Sequence, residues 1–60
     1  MKFKIIKEVK VDFPGARMTY VPGQIIYLGS MDKFDNTGIH ICFSYGNYTT
    51  IPIQYIEEVK

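Results

Sequence analysis

Apolar and polar positions alternate along most of this chain, and turn residues cut the alternation into short pieces. In KFKIIKEVKV (2–11), Phe3, Ile5, Val9 and Val11 share one parity, while the lysines and Glu8 mostly take the other. Ile6 and Lys7 break the pattern, which predicts a strand with a bend or bulge at that point. Ile5 and Val9 also stand four apart, as on a helix, but the β-branched content and the missing helix cap favour the strand. Pro14-Gly15 and Pro22-Gly23 each predict a type II turn: proline pre-sets φ at the first central position, and glycine supplies positive φ at the second. RMTYV (17–21) and QIIYL (24–28) read as the next strands, and GSMDKFDNTG (29–38) as a polar loop. IHICFSY (39–45) and YTTIPI (48–53) flank Gly46-Asn47, which predicts a hairpin closed by a type II′ turn. The expected register sets Tyr45 opposite Tyr48, Phe43 opposite Thr50 and Cys42 opposite Ile51. Pro52 has no N–H to donate and should end the pairing. Many short strands and frequent turns predict a small all-β barrel or sandwich, one domain over 1–60.

Composition narrows the function classes. Sixty residues leave room for one marginal core and none for a cleft between two domains. The net charge of +1 lacks the clear basic excess of most nucleic-acid binders, although Lys2, Lys4, Lys7 and Lys10 cluster near the start. Five tyrosines and four phenylalanines are many for so small a core, so some rings are expected at the surface. Cys42 is the only cysteine and closes no internal disulfide, which fits a reducing cytoplasm. MKFKIIKEVK has a basic opening but no apolar stretch behind it, so a signal peptide is not expected, and no run approaches membrane-spanning length. Asn47-Tyr48-Thr49 matches a glycosylation acceptor, and with secretion not expected the match is read as chance.

From residue 9 onward the chain resembles a Src homology 3 domain. VKVDF (9–13) stands where that family has its ALYDY-type strand, YVPGQIIYL (20–28) where it has its GD turn and following strand, and IPIQYIEEV (51–59) matches its closing motif. The resemblance implies an all-β, five-stranded barrel in which Pro52 starts a single 3₁₀ turn that presents Tyr55. It also implies a groove for proline-rich segments, with Phe13, Pro52 and Tyr55 at three of its positions. Val11 and Ile39 depart from the tyrosine and tryptophan of that groove, and Arg17 stands where acidic residues are usual, so ordinary proline-rich recognition is not expected. The chain also resembles short bacteriophage proteins that open on a basic strand like MKFKIIKEV and end in EEVK.

Ile39, Ile41, Phe43 and Tyr45, with Tyr48 and Thr50 across the hairpin, form an alternating apolar row. Simple alternation places that row in the core, whereas the family register places it outward as a partner surface. His40 and Cys42 share a strand face but lack the further ligands of a metal site and the orienting group of a nucleophile pair. Asp32, Asp35 and Asn36 do not follow a calcium-loop spacing. No catalytic set, metal or cofactor is therefore expected. The expected function is a non-enzymatic protein-binding module acting as an adaptor, inhibitor or assembly component. Its candidate contacts are Phe13, Ile39, Pro52 and Tyr55, with Ile41, Phe43, Tyr45 and Tyr48 as a second patch. One alternative is a nucleic-acid-binding barrel using Lys2, Lys4, Lys7 and Lys10. Another is an obligate homo-oligomer that buries the apolar row.

Overall fold

A computed structural model describes residues 1–60. The chain forms eight strands: β1 (Lys2–Ile5), β2 (Val9–Phe13), β3 (Ala16–Tyr20), β4 (Ile25–Tyr27), β5 (Lys33–Asp35), β6 (Gly38–Ser44), β7 (Asn47–Pro52) and β8 (Ile56–Val59). They make three open antiparallel sheets, β4-β1-β8, β2-β3 and β5-β6-β7. This corrects the expectation of a closed five-stranded barrel and with it the resemblance to a Src homology 3 domain: the fold is all-β, but the sheets do not close.

Two departures from the expected layout produce the extra strands. The long basic first strand is two strands in different sheets. Its ladder stops after Ile5, and the Ile6 N–H is taken by the Tyr55 carbonyl at 2.9 Å, so the chain bends through residues 6–8 before β2 begins. The predicted bend thus occurs, and it is large enough to change sheets. The expected polar loop also contains β5, whose Phe34 pairs with Ile39 and packs against the core.

The parity reading of the first segment holds. Phe3, Ile5, Val9 and Val11 are all buried, with Tyr20, Ile39, Ile51 and Ile56 completing one core to which each sheet contributes. Burial near 1.5–3 kcal/mol per large side chain makes these eight residues the main source of stability. Both Pro-Gly pairs form turns with positive φ at the glycine, Pro14-Gly15 joining β2 to β3 and Pro22-Gly23 preceding β4.

The β6–β7 hairpin differs from expectation. Its turn residues are Tyr45 and Gly46, not Gly46 and Asn47: Ser44 pairs with Asn47, and positive φ falls on the second central residue, Gly46. That geometry excludes a type II′ turn, which needs positive φ at the first. A register irregularity between Cys42 and Ser44 follows, and beyond it Cys42 pairs with Tyr48 and Ile39 with Ile51. The small residue expected opposite Ile51 is therefore not Cys42. Pro52 does end β7, and the next three residues, Ile53–Tyr55, form a single 3₁₀ turn. Gly38 makes that crossing possible. It pairs with Pro52 at φ +140°, and a β-carbon there would stand 2.0 Å from the Ile51 carbonyl oxygen.

Candidate functional site

The corrected register decides which way the apolar row faces. Ile39 lies opposite Ile51 and is 0% exposed, so it cannot meet a partner from the folded state. Ile41 faces the same side and is half-buried against the core. Phe43 sits within the register irregularity, without a partner in the ladder, and is 39% exposed, and Tyr45 at the turn is 91% exposed. The row therefore starts in the core and ends in solvent.

The Phe43 ring does not stand alone. It meets the Phe13 ring edge-on, with centroids 6.1 Å apart and planes at 78°. Phe13 ends β2 on the same parity as buried Val9 and Val11, so the pair forms the rim of the core where the β2–β3 hairpin abuts β6–β7. Edge-to-face pairs of this kind add about 0.5–1.5 kcal/mol beyond burial. The Thr49 hydroxyl donates to the Asp12 carbonyl at 2.9 Å, tying β7 to β2 beside this rim. Phe13, Phe43 and the exposed Tyr45 therefore present aromatic surface from two sheets.

The other predicted contacts lie elsewhere. Pro52 and Tyr55 bracket the 3₁₀ turn, both half-buried, with Tyr55 packed on the core. Tyr48 lies on the face of the β5-β6-β7 sheet turned from the core, where the Lys33 ammonium sits 5.3 Å from its ring centroid. Lys2 and Lys4 share the exposed face of β1 and Lys10 lies in β2, so these three divide between two sheets, and Lys7 lies in the bend outside both. Glu57 lies directly across from Lys4.

A polar network on the outer face of β5-β6-β7 was not legible as a unit in the sequence. The His40 Nδ1 is 2.8 Å from the Thr50 hydroxyl, and its Nε2 is 3.0 Å from Asp35 Oδ1. Asp35 Oδ1 also accepts the Thr37 N–H at 2.8 Å and the Thr37 hydroxyl. The Thr37 hydroxyl, His40 and the Thr37 N–H, in that order, hold the Asp35 carboxyl well below the usual range. An ionised Asp35 only accepts, so Nε2 carries a proton, and in the neutral ring Nδ1 then accepts from the Thr50 hydroxyl. The hydroxyl–imidazole–carboxylate chain links all three strands of its sheet on an open face. Cys42, on that same face, directs its thiol to the Ser44 carbonyl at 3.1 Å and makes no bond to His40. Only the pairing of Lys33 with His40 and of His40 with Thr50 brings these groups together, and both pairings depend on the strand hidden in the polar loop and on the corrected hairpin register.

No group of three or more potential metal ligands converges anywhere on the chain, and no helix is long and apolar enough to cross a membrane. Compared with family models, curated proteins and solved structures, the chain matches none.

Proposed function

We propose that this chain is a small protein-binding module whose contact surface is the aromatic rim of Phe13, Phe43 and Tyr45. The observation that carries the reading is the Phe13–Phe43 contact beside an almost fully exposed tyrosine. Aromatic rings of limited side-chain freedom are the usual anchors of protein interfaces, and tyrosine adds a polar tip at low entropic cost. Two of the three rings are held before binding: Phe13 and Phe43 brace each other, and the Thr49–Asp12 bond fixes the strands behind them. The module acts by occupancy, as an adaptor, inhibitor or assembly component. A single half-buried free thiol and no disulfide suit it to a reducing compartment such as the cytoplasm.

The test is a nuclease-treated pull-down at low and high salt, comparing the native chain with Tyr45→Ala, Phe43→Ala and the pair Lys2→Glu, Lys4→Glu. The reading expects a protein that survives high salt and nuclease and is lost at least about tenfold with Phe43→Ala or Tyr45→Ala. Capture that vanishes with salt, nuclease and the lysine changes, yet ignores Phe43 and Tyr45, would replace it with the nucleic-acid alternative, because phosphate contacts weaken steeply as salt rises.

A further inference from the structure

Open sheets leave edges, and the edges of this fold are not equally protected. β8 carries Glu57 and Glu58, β5 is three residues long and carries Lys33 and Asp35, and β4 is three residues long. The free sides of β2 and β7 approach each other at the Thr49–Asp12 bond. β3 is different: it has five residues, β2 is its only neighbour, and Ala16 through Thr19 are all exposed. Its single charge, Arg17, is tied back across the hairpin to Asp12 at 2.7 Å. Short length and charge are the usual protections of an edge strand, and β3 has neither in effective form.

The hairpin geometry fixes which backbone groups face outward. Phe13 and Ala16 flank a two-residue turn, so they form a hydrogen-bonded pair, and such pairs alternate along the ladder. Ala16, Met18 and Tyr20 therefore bond to β2, while Arg17 and Thr19 point their N–H and C=O groups away from it. No backbone bond outside the ladders involves Arg17 or Thr19. Met18 pairs with buried Val11 and so lies on the core side, yet it remains 45% exposed because nothing covers the core beyond β3.

We propose that β3 pairs antiparallel with β3 of a second copy, about a two-fold axis through Met18. In that register Arg17 faces Thr19 of the second copy twice over, and both present outward-pointing backbone groups, so each pair closes two hydrogen bonds. Met18 faces Met18, and small Ala16 faces large Tyr20. No like charges oppose each other. A β8–β8 pairing, in contrast, would set Glu57 and Glu58 of the two copies against each other. The second copy joins β2-β3 into a four-stranded sheet and covers the half-exposed Met18. The occupant is a second copy because this strand satisfies itself in one register without any other sequence. Isologous contacts of this kind close at two subunits.

The strand alone makes a small interface, so the dimer is weak and concentration-dependent. The test uses the full 60-residue chain. Sedimentation or light scattering across concentration should show reversible dimerisation that Met18→Lys abolishes, with circular dichroism confirming that the variant stays folded. Two lysines facing each other on the axis repel. Single cysteines in a Cys42→Ser background then read the register. Residue 18 is the only β3 position that meets itself, at a non-hydrogen-bonded site with Cα atoms about 4.5 Å apart, within disulfide range. Met18→Cys should cross-link about tenfold more than Arg17→Cys or Thr19→Cys under mild oxidation. A chain that stays monomeric up to about 1 mM overturns the proposal. So does a dimer whose cross-linking is no better at position 18, since it would use another face.

Discussion

Gly38→Ala is expected to disable this fold almost alone, and the reason can be worked out from the coordinates. Gly38 opens β6 at φ +140°, a backbone conformation that costs a residue with a β-carbon about 1–3 kcal/mol. The new β-carbon would also stand 2.0 Å from the Ile51 carbonyl oxygen and 3.0 Å from both the Ile51 carbonyl carbon and the Ile53 amide nitrogen. All three are backbone atoms, so no rotamer relieves the overlap and β7 must move by roughly 1 Å. Ile51 is fully buried against Ile39, and displacing it resembles overpacking, at about 1–3 kcal/mol. The total is about 2–6 kcal/mol, against a domain stability of order 5 kcal/mol for so small a chain. At about 4–8 °C per kcal/mol, thermal melting followed by circular dichroism should show Tm falling by at least about 8 °C, or no transition at all. Gly15→Ala is the control. Gly15 has φ +77° but nothing within 4 Å of its added carbon, so it carries conformational strain alone, about 1–2 kcal/mol. If Gly38→Ala melts within about 3 °C of Gly15→Ala, the close crossing of Gly38 and Ile51 is wrong, and with it the placement of the 3₁₀ turn.

Further expectations concern the polar side chains. Asp32 accepts the Gly29 N–H at 2.8 Å through one oxygen and the Cys42 N–H at 2.9 Å through the other, so Asp32→Ala should cost about 1–3 kcal/mol and speed hydrogen exchange at Cys42; unchanged Cys42 protection would refute the bridge. Thr50→Val removes the donor to His40 Nδ1 and should lower stability by about 1 kcal/mol while shifting nitrogen chemical shifts of the ring away from a single tautomer; a ring spectrum identical to the native one would contradict the assignment. Asp35 has a folded-state pKa depressed below its unfolded value near 3.9, so its contribution is present above about pH 4 and is lost as pH falls through the lower folded value. Denaturant midpoints of the native chain should therefore fall in acid more steeply than those of Asp35→Asn, and parallel curves would remove Asp35 from the account.

How much of this was legible can be judged residue by residue. Local rules with a strict physical cause held: the parity of Phe3, Ile5, Val9 and Val11, the two Pro-Gly turns, and the stop at Pro52, whereas the 3₁₀ turn after it was implied only by the family resemblance. The misreading at the β6–β7 hairpin came from two glycine-containing dipeptides, Tyr45-Gly46 and Gly46-Asn47, either of which can occupy a two-residue turn. Local sequence does not choose between them. The choice is made by burial, since the observed register sets Ile39 and Ile51 together in the core and leaves Cys42 beside Tyr48. Displacing the turn by one residue moves the pairing by two positions and keeps the faces, whereas the irregularity between Cys42 and Ser44 moves it by one more, so the partner of Ile51 passes from Cys42 to Ile39 and the faces reverse, which hid the His40 network and set fully buried Ile39 in an outward row. β5 was illegible for another reason. Its charged Lys33 and Asp35 face outward and only Phe34 packs on the core, a pattern too short to separate from a loop.

The aromatic rim and the open β3 edge have one cause. A folded monomer of 7.0 kDa is expected to expose about 4,000 Å², and this chain exposes 4088 Å², so it is as compact as its length allows. Exposure of Phe43, Tyr45 and Met18 therefore does not reflect loose packing. Eight buried residues supplied by three short sheets fill the available interior, and the remaining large apolar side chains have nowhere to go but the seams between sheets. One seam, between β2–β3 and β6–β7, is braced by Phe13 on Phe43 and by Thr49 on Asp12. The seam beyond β3 is braced by nothing. Binding at the first should leave the second free, so Phe43→Ala should weaken partner capture without changing dimerisation, and Met18→Lys should do the reverse. A single substitution that removes both would mean that the two surfaces are one.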